Sequence, residues 1–381
     1  MRTRRSLALA MALSLAATPT VTPAVAYNIA RDYSGQTFFD GWDYYGFWDN
    51  LTLSQVWWLN ETQATAEHLA YVNDAGRAVI RVDNTTTLPD GAKNRDTIRI
   101  TTKDFYDYGS LWVFDATHLP YGCSVWPAFW TKGATWPDNG EIDIVEGINL
   151  MDHNQMAIHT LDGCTTDKSI VQTGQLGSTD CGTGSGCTVR ESKANSFGAG
   201  FAQAGGGVWA TQFDVAGIYM WFWNREDVPA ALTQNTSAID ISSWGTPSAS
   251  YPTSAQCNVT NYFTPQQLVL DIALCGDWAG VQGIYSQDCP GTCGVAGPGS
   301  PAYDNAYFEI NYVRAYTTGP PLPSSTPVSS TTSTVAATVI TSAPVPTANT
   351  DTGNKNGARR IGSSVGVLAL VASVLGMLVL S

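Results

Sequence analysis

Five stretches of the chain, residues 78–82, 97–100, 110–114, 217–223 and 306–316, are rich in β-branched and aromatic side chains. Their apolar and polar positions alternate in part with a period of two. Successive side chains of a strand point to opposite faces, so this spacing predicts strands, and the Asn, Asp, Gly and Pro residues between them predict turns. Helical spacing of apolar residues is hard to find outside the last residues of the chain. Many strands without alternating helices predict an all-β fold, an antiparallel β-sandwich of the jelly-roll kind, rather than a parallel α/β sheet. Residues 27–318 contain no linker-like break and read as one domain.

Composition agrees. Of the 381 residues 44% are apolar and only 13% charged, enough to bury a large core, and the 36 Gly, 13 Trp, 16 Tyr and 12 Phe suit a turn-rich, strand-rich fold. Nineteen basic against 32 acidic residues leave a balance of −13, so polyanions are poor partners and a nucleic-acid-binding role is excluded.

The two ends carry addresses. Residues 1–26 begin with Arg2, Arg4 and Arg5, run through apolar residues 7–17 and end on Ala24-Val25-Ala26, the pattern of a cleaved signal peptide. The run is shorter than the roughly 20 residues of a spanning helix. Residues 365–380 are uncharged and follow Arg359 and Arg360, with Asn356-Gly357-Ala358 upstream as the small residues of a glycosylphosphatidylinositol signal. Asn356 is the expected anchored residue and 357–381 the discarded propeptide; a nearby residue such as Gly353, or a retained tail-anchor helix, stays open. Removing both ends takes away five arginines and no acid and carries the balance from −13 to −18. Residues 319–356 open with a Ser/Thr/Pro-rich run that cannot build a core and reads as an O-glycosylated stalk. Sequons at Asn50, Asn60, Asn84, Asn235 and Asn258 support the secretory route.

The eight cysteines, Cys123 to Cys293, are an even number in an exported chain and imply disulfides. Sequence does not choose among the pairings; the short loops Cys181–Cys187 and Cys289–Cys293 are the simplest expectation. Neither the cysteine nor the histidine spacings suggest zinc, and the glycine-rich run at 182–186 lies between two cysteines without the strand and helix of a phosphate loop. No metal and no cofactor are expected.

The chemistry concentrates in Gly140-Glu141-Ile142-Asp143-Ile144-Val145-Glu146-Gly147. Acids are depleted in strands, yet three stand here on an otherwise buried-strand sequence. In a regular strand Glu141 and Asp143 share one face and Glu146 points to the other; one extra residue, a β-bulge at Ile144-Val145, returns Glu146 to the face of its fellows. Four effective strand steps of about 3.3 Å then place the two Glu α-carbons roughly 13 Å apart. Side chains leaning inward over the shorter Asp143 could bring their carboxyls to the separation of a retaining glycosidase. Mutual repulsion raises the pKa of the last to ionise, as a general acid requires. A solvent-facing acidic strand or a cation site is the alternative, weakened by the isoleucines and valine that demand a buried opposite face.

If residues 149–154 turn the chain about Met151, His159 falls opposite Asp143, give or take the bulge, and lines the same cleft. Local structural use of this histidine is about as common. Trp126, Trp130, Trp136 and Trp278 offer flat faces for sugar rings, although core packing is the more frequent fate of any one tryptophan. Trp126 and Trp130, four apart, share a strand face.

Glu-Ile-Asp-Ile-Val-Glu resembles the signature of glycoside hydrolase family 16 in its bulged, laminarinase-type form. The surroundings, above all residues 126–130, Trp136-Pro137, His159-Thr160 and residues 275–280, resemble fungal endo-1,3(4)-β-glucanases over about Phe39 to Tyr316. The resemblance implies a concanavalin-like sandwich with a carbohydrate-binding cleft, Glu141 as nucleophile, Glu146 as acid/base and Asp143 as the residue that tunes the nucleophile. It also implies a glucose-binding cleft that takes tryptophans from the 126–130 segment and tips His159 towards a subsite role. The activity implied is endo-hydrolysis of β-1,3 or mixed β-1,3/1,4-glucans by a secreted monomer that meets the membrane only through its lipid anchor. A wall-remodelling transglycosylase keeps the same chemistry, and a glucan-binding lectin keeps only the fold; the bulged motif and the intact glutamates favour hydrolysis.

Overall fold

The computed structural model describes residues 26–234 and 237–319, all within one compact unit. Most of the signal peptide, Asn235, the stalk, Asn356 and the propeptide lie outside the described residues. Among the described residues no helix is long and apolar enough to cross a membrane.

Two antiparallel sheets, of nine and eight strands, stack face to face. The predicted strands are present as Ala78–Arg81, Arg95–Thr97 with Arg99–Thr102, Ser110–His118, Gly217–Asn224 and Tyr307–Thr317. Tyr307–Thr317 is the hub of the nine-stranded sheet, pairing with Tyr27–Ser34, with Ala78–Arg81 and with Ser110–His118. The core between the sheets is apolar on both sides: Phe114 of one sheet stacks on Phe129 of the other with ring centroids 4.5 Å apart, and both are fully buried. The far face of the nine-stranded sheet has a smaller apolar layer, in which Trp244 wedges edge-on against Trp221 and Trp223.

The eight-stranded sheet carries the acids. At its centre Glu141–Glu146 lies between Val125–Lys132 and Gln155–His159, and Val125–Lys132 pairs in turn with Gln267–Leu274. Alternation divides the labour of Val125–Lys132: Val125, Phe129 and Thr131 are fully buried, Val125 and Phe129 in the main core, while Trp126, Ala128 and Trp130 face outward. Two glycines bracket the acid strand. Gly140 has φ +77°, and a Cβ there would lie 2.4 Å from the Phe263 ring; at Gly147 a Cβ would lie 2.7 Å from that of Phe197.

All eight cysteines are paired. The Cys181–Cys187 loop is present, but Cys289 pairs with Cys123 and Cys293 with Cys275, so the expected Cys289–Cys293 loop is corrected; Cys164–Cys257 completes the set. The reason is placement: Cys123 and Cys275 stand at the ends of adjacent strands, and each takes one of the two cysteines that follow the helix Gln282–Asp288. Peptide mapping of the unreduced protein is expected to recover these four pairs, with no cysteine open to alkylation in denaturant without reductant. A linked Cys289–Cys293 peptide would contradict the connectivity.

Candidate active site

The bulge lies where the apolar pattern predicts it. Against Val125–Lys132 the register runs Asp143 to Trp130, then Val145 to Phe129 and Glu146 to Ala128; against Gln155–His159 it jumps from Asp143–Ala157 to Glu146–Gln155. Ile142, Ile144 and Val145 are buried in the core, and Glu141, Asp143 and Glu146 line one cleft on the other face.

Each glutamate has its own tryptophan. Trp126 Nε1 donates to Glu146 Oε1 at 2.8 Å, and Trp136 Nε1 donates to Glu141 Oε2. Both rings, with Trp130, line the cleft, and Trp136 is the exposed one of the three. Trp278 packs edge-on against Trp126, centroids 5.5 Å apart, and so supports a ring of the cleft wall.

His159 stands opposite Glu141 in the ladder, not opposite Asp143 as the turn arithmetic expects. The bulge takes one residue of the difference, between Glu146–Gln155 and Asp143–Ala157, and the connection takes the other: it begins at Gly147 rather than Asn149, whose N–H donates to the Val125 carbonyl and whose Oδ1 accepts from Ser124 N–H. The imidazole still reaches diagonally across the strands to place Nε2 3.2 Å from Asp143 Oδ2. One atom each of Glu141, Asp143 and His159 lies within 4.8 Å of the other two. By donor type this trio is the cluster that could hold a metal among the described residues, but its imidazole and aspartate are already engaged with each other.

Charge is balanced tightly. Burial, then the Asp143 charge, pushes Glu141 from 4.5 up to about 8, against the His159 cation and the Trp136 N–H, which favour the anion. Burial and Asp143 also raise Glu146 well above the usual carboxylate range, against Trp126 and His159. Desolvation pulls His159 down, but its bond to Asp143 and the surrounding acids more than reverse this and leave it raised to about 9.

Three cleft residues escaped the sequence reading. Asp271, opposite Ala128, accepts from Trp130 Nε1 at 2.8 Å; burial raises it to about 6, against Arg99 and that N–H. The Arg99 guanidinium lies between the Tyr45 and Trp130 rings, 4.8 and 5.2 Å from their centroids. Asp49 shapes the loop beside them by accepting from the N–H groups of Leu51, Thr52 and Ser54. Asp271, a lone acid in the apolar run Gln-Leu-Val-Leu-Asp-Ile-Ala-Leu, and Arg99, a charge inside a predicted strand, carry the same signal that singled out the motif.

A two-layer antiparallel sandwich with paired glutamates and an aspartate on one bulged strand is the plan of a carbohydrate-active protein. Residues 42–316 match the family described as the XgeA-like catalytic GH16 domain, and the chain belongs to glycoside hydrolase family 16. It is 34% identical to the endo-1,3(4)-beta-glucanase xgeA of Emericella nidulans over 80% of this chain and 50% of that one. Among solved structures, GH16 laminarinase 16A of Phanerochaete chrysosporium, which holds two β-glucans in its donor and acceptor sites, matches with a TM-score of 0.73 and 32% identity over 77% of this chain and all of that one. An elongating family 16 β-1,3-glucosyltransferase matches with a TM-score of 0.70 and 34% identity over 76% of this chain and all of its own. The chain spans about half the length of most of the curated relatives it matches.

The charge balance sets the pH dependence of stability. Between 4.5 and about 8 the unfolded chain has lost the Glu141 proton that the folded protein keeps, and between 6.5 and about 9 it has lost the His159 proton. In both windows the unfolded state binds fewer protons, so stability falls as pH rises. The urea midpoint is expected to drop from pH 5 to pH 9, and Glu141→Gln combined with His159→Gln should flatten the curve. An unchanged slope in the double variant would refute this charge assignment.

Proposed function

We propose that the protein is a retaining endo-β-glucanase acting on β-1,3 or mixed β-1,3/1,4-glucans. The observation that carries the reading is the pair itself: Glu141 and Glu146 on one bulged strand, facing one cleft and each held by its own tryptophan N–H. The anionic Glu141 attacks the anomeric carbon and forms a glycosyl ester. The bond from that carbon to the leaving oxygen breaks, and the oxygen takes its electron pair together with the Glu146 proton. Water then attacks the same carbon, gives a proton to Glu146 and releases Glu141. Asp143 holds the site together through its ion pair with His159 and raises both glutamates by its charge. Trp126, Trp130 and Trp136 offer the sugar-stacking faces, with His159 held against Asp143 beside them and Trp278 backing Trp126.

A second reading, glucan transfer in place of hydrolysis, is favoured by the likeness to the elongating glucosyltransferase, because a sugar hydroxyl can replace water in the second step. The signal peptide, the sequons and the 356–358 signal support a secreted, N-glycosylated, glycosylphosphatidylinositol-anchored protein at the cell surface or in the wall. Four of the five sequon asparagines are within the described residues, and Asn50 and Asn60 are exposed.

Glu141→Gly is expected to abolish glucan hydrolysis while an α-glycosyl fluoride donor restores glycan synthesis. Glu146→Ala should keep glycosylation from activated aryl donors, slow deglycosylation, and regain turnover with azide to give the β-glycosyl azide. An α-azide product, or wild-type hydrolysis by Glu141→Gly, would overturn the assignment. Phosphatidylinositol-specific phospholipase should release the protein from intact cells; retention with residues 365–380 present in the peptide map would indicate a tail-anchor helix instead.

A further inference from the structure

The bulge that brings Glu146 to the acidic face also breaks the ladder beside it. Towards Gln155–His159, pairing stops at Asp143 and resumes at Glu146, so Ile144 and Val145 stand against the single residue Met156 and neither is in register there. Both side chains are buried in the core, and backbone polar groups in such surroundings cost free energy unless they are paired. One side chain meets the need on both sides of the gap. Asn154 Oδ1 accepts from the Glu146 N–H at 2.9 Å, and its Nδ2 donates to the Ile144 carbonyl at 2.8 Å. The carboxamide takes the place of a missing peptide group.

Asn154 is itself held rigidly. It is fully buried; its N–H donates to Ser196 Oγ at 3.1 Å, and its carbonyl accepts from the Glu191 N–H at 2.9 Å. Ser196 and Glu191 are also fully buried, so the whole clamp is away from solvent. Glu141, Ile142 and Asp143 stand before the gap in regular register with His159, Ile158 and Ala157, and need no such support.

We infer that Asn154 is a positioning residue for Glu146, acting through the backbone of the bulge, and that it governs proton delivery to the leaving group rather than nucleophilic attack. The inference rests on the acid/base reading of Glu146. Asparagine suits the task because one planar group offers a donor and an acceptor side by side. Aspartate would keep the acceptor for Glu146 N–H but set a second oxygen against the Ile144 carbonyl.

The test compares leaving groups in the full-length protein. Asn154→Ala is expected to lower kcat/KM roughly 10- to 100-fold on laminarin and on an unsubstituted phenyl laminaribioside, whose departure needs a proton. On a dinitrophenyl laminaribioside, whose departure does not, the loss should stay within about threefold. Glu146→Ala is run beside it and should show the same dependence more strongly. A uniform loss across all leaving groups in Asn154→Ala, with Glu146→Ala still discriminating, would overturn the role of Asn154 alone. Equal loss across leaving groups in Glu146→Ala would overturn the acid/base reading and the inference with it. If Asn154→Ala does not fold, Ser196→Ala, which loosens the clamp but leaves the carboxamide in place, is judged by the same leaving-group criterion, with a smaller effect expected.

Discussion

Placing three carboxylates on one face of a strand whose other face is core is the constraint from which the site follows. Period two permits Glu141 and Asp143 to share a face but not Glu146; one extra residue is the smallest change that reconciles all three with the buried isoleucines and valine. Everything nearby is arranged around that irregularity. Val125–Lys132 follows it with a single slipped pair, while Gln155–His159 leaves a gap that a side-chain amide fills.

Electrostatics is the second consequence. Carboxylates this close cannot all be ionised at neutral pH without compensation, and each glutamate has its own. His159 favours both anions, while Trp136 favours that of Glu141 and Trp126 that of Glu146. Burial and Asp143 nonetheless hold both glutamates well above the usual carboxylate range, which keeps a proton on this face at neutral pH for a double displacement to use.

Much of this was legible in the chain. The strands, the motif and the bulge at Ile144-Val145 all follow from local periodicity, because a strand's faces are decided within a few residues. His159 reaches Asp143 as expected but stands two positions away in register: the bulge takes one, and the start of the connection, with the bonds of Asn149 to residues 124 and 125 that no local pattern reveals, takes the other. The pairing of Cys289 and Cys293 with distant partners fails for the same reason: short loops look favourable in sequence, but the fold brings Cys123 and Cys275 to the same end of adjacent strands. Asn154 sits in a polar turn and carries no sign of its own. Asp271 and Arg99 carried one, as charges inside apolar strands.

The position of Tyr307–Thr317 as the hub of its sheet bears on the order of assembly during synthesis. It joins Tyr27–Ser34, Ala78–Arg81 and Ser110–His118, yet it is the last of these four strands to leave the ribosome. Until it emerges, the strands made earlier have no central partner, one wall of the core stays open, and Cys123 must wait for Cys289, 166 residues later. Closure of the sandwich is thus a late event with long loops to bring together, slow by the ordinary measure of non-local topology. The nascent chain spends most of its synthesis with apolar sheet faces and reduced thiols uncovered, dependent on whatever in its surroundings keeps such surfaces apart.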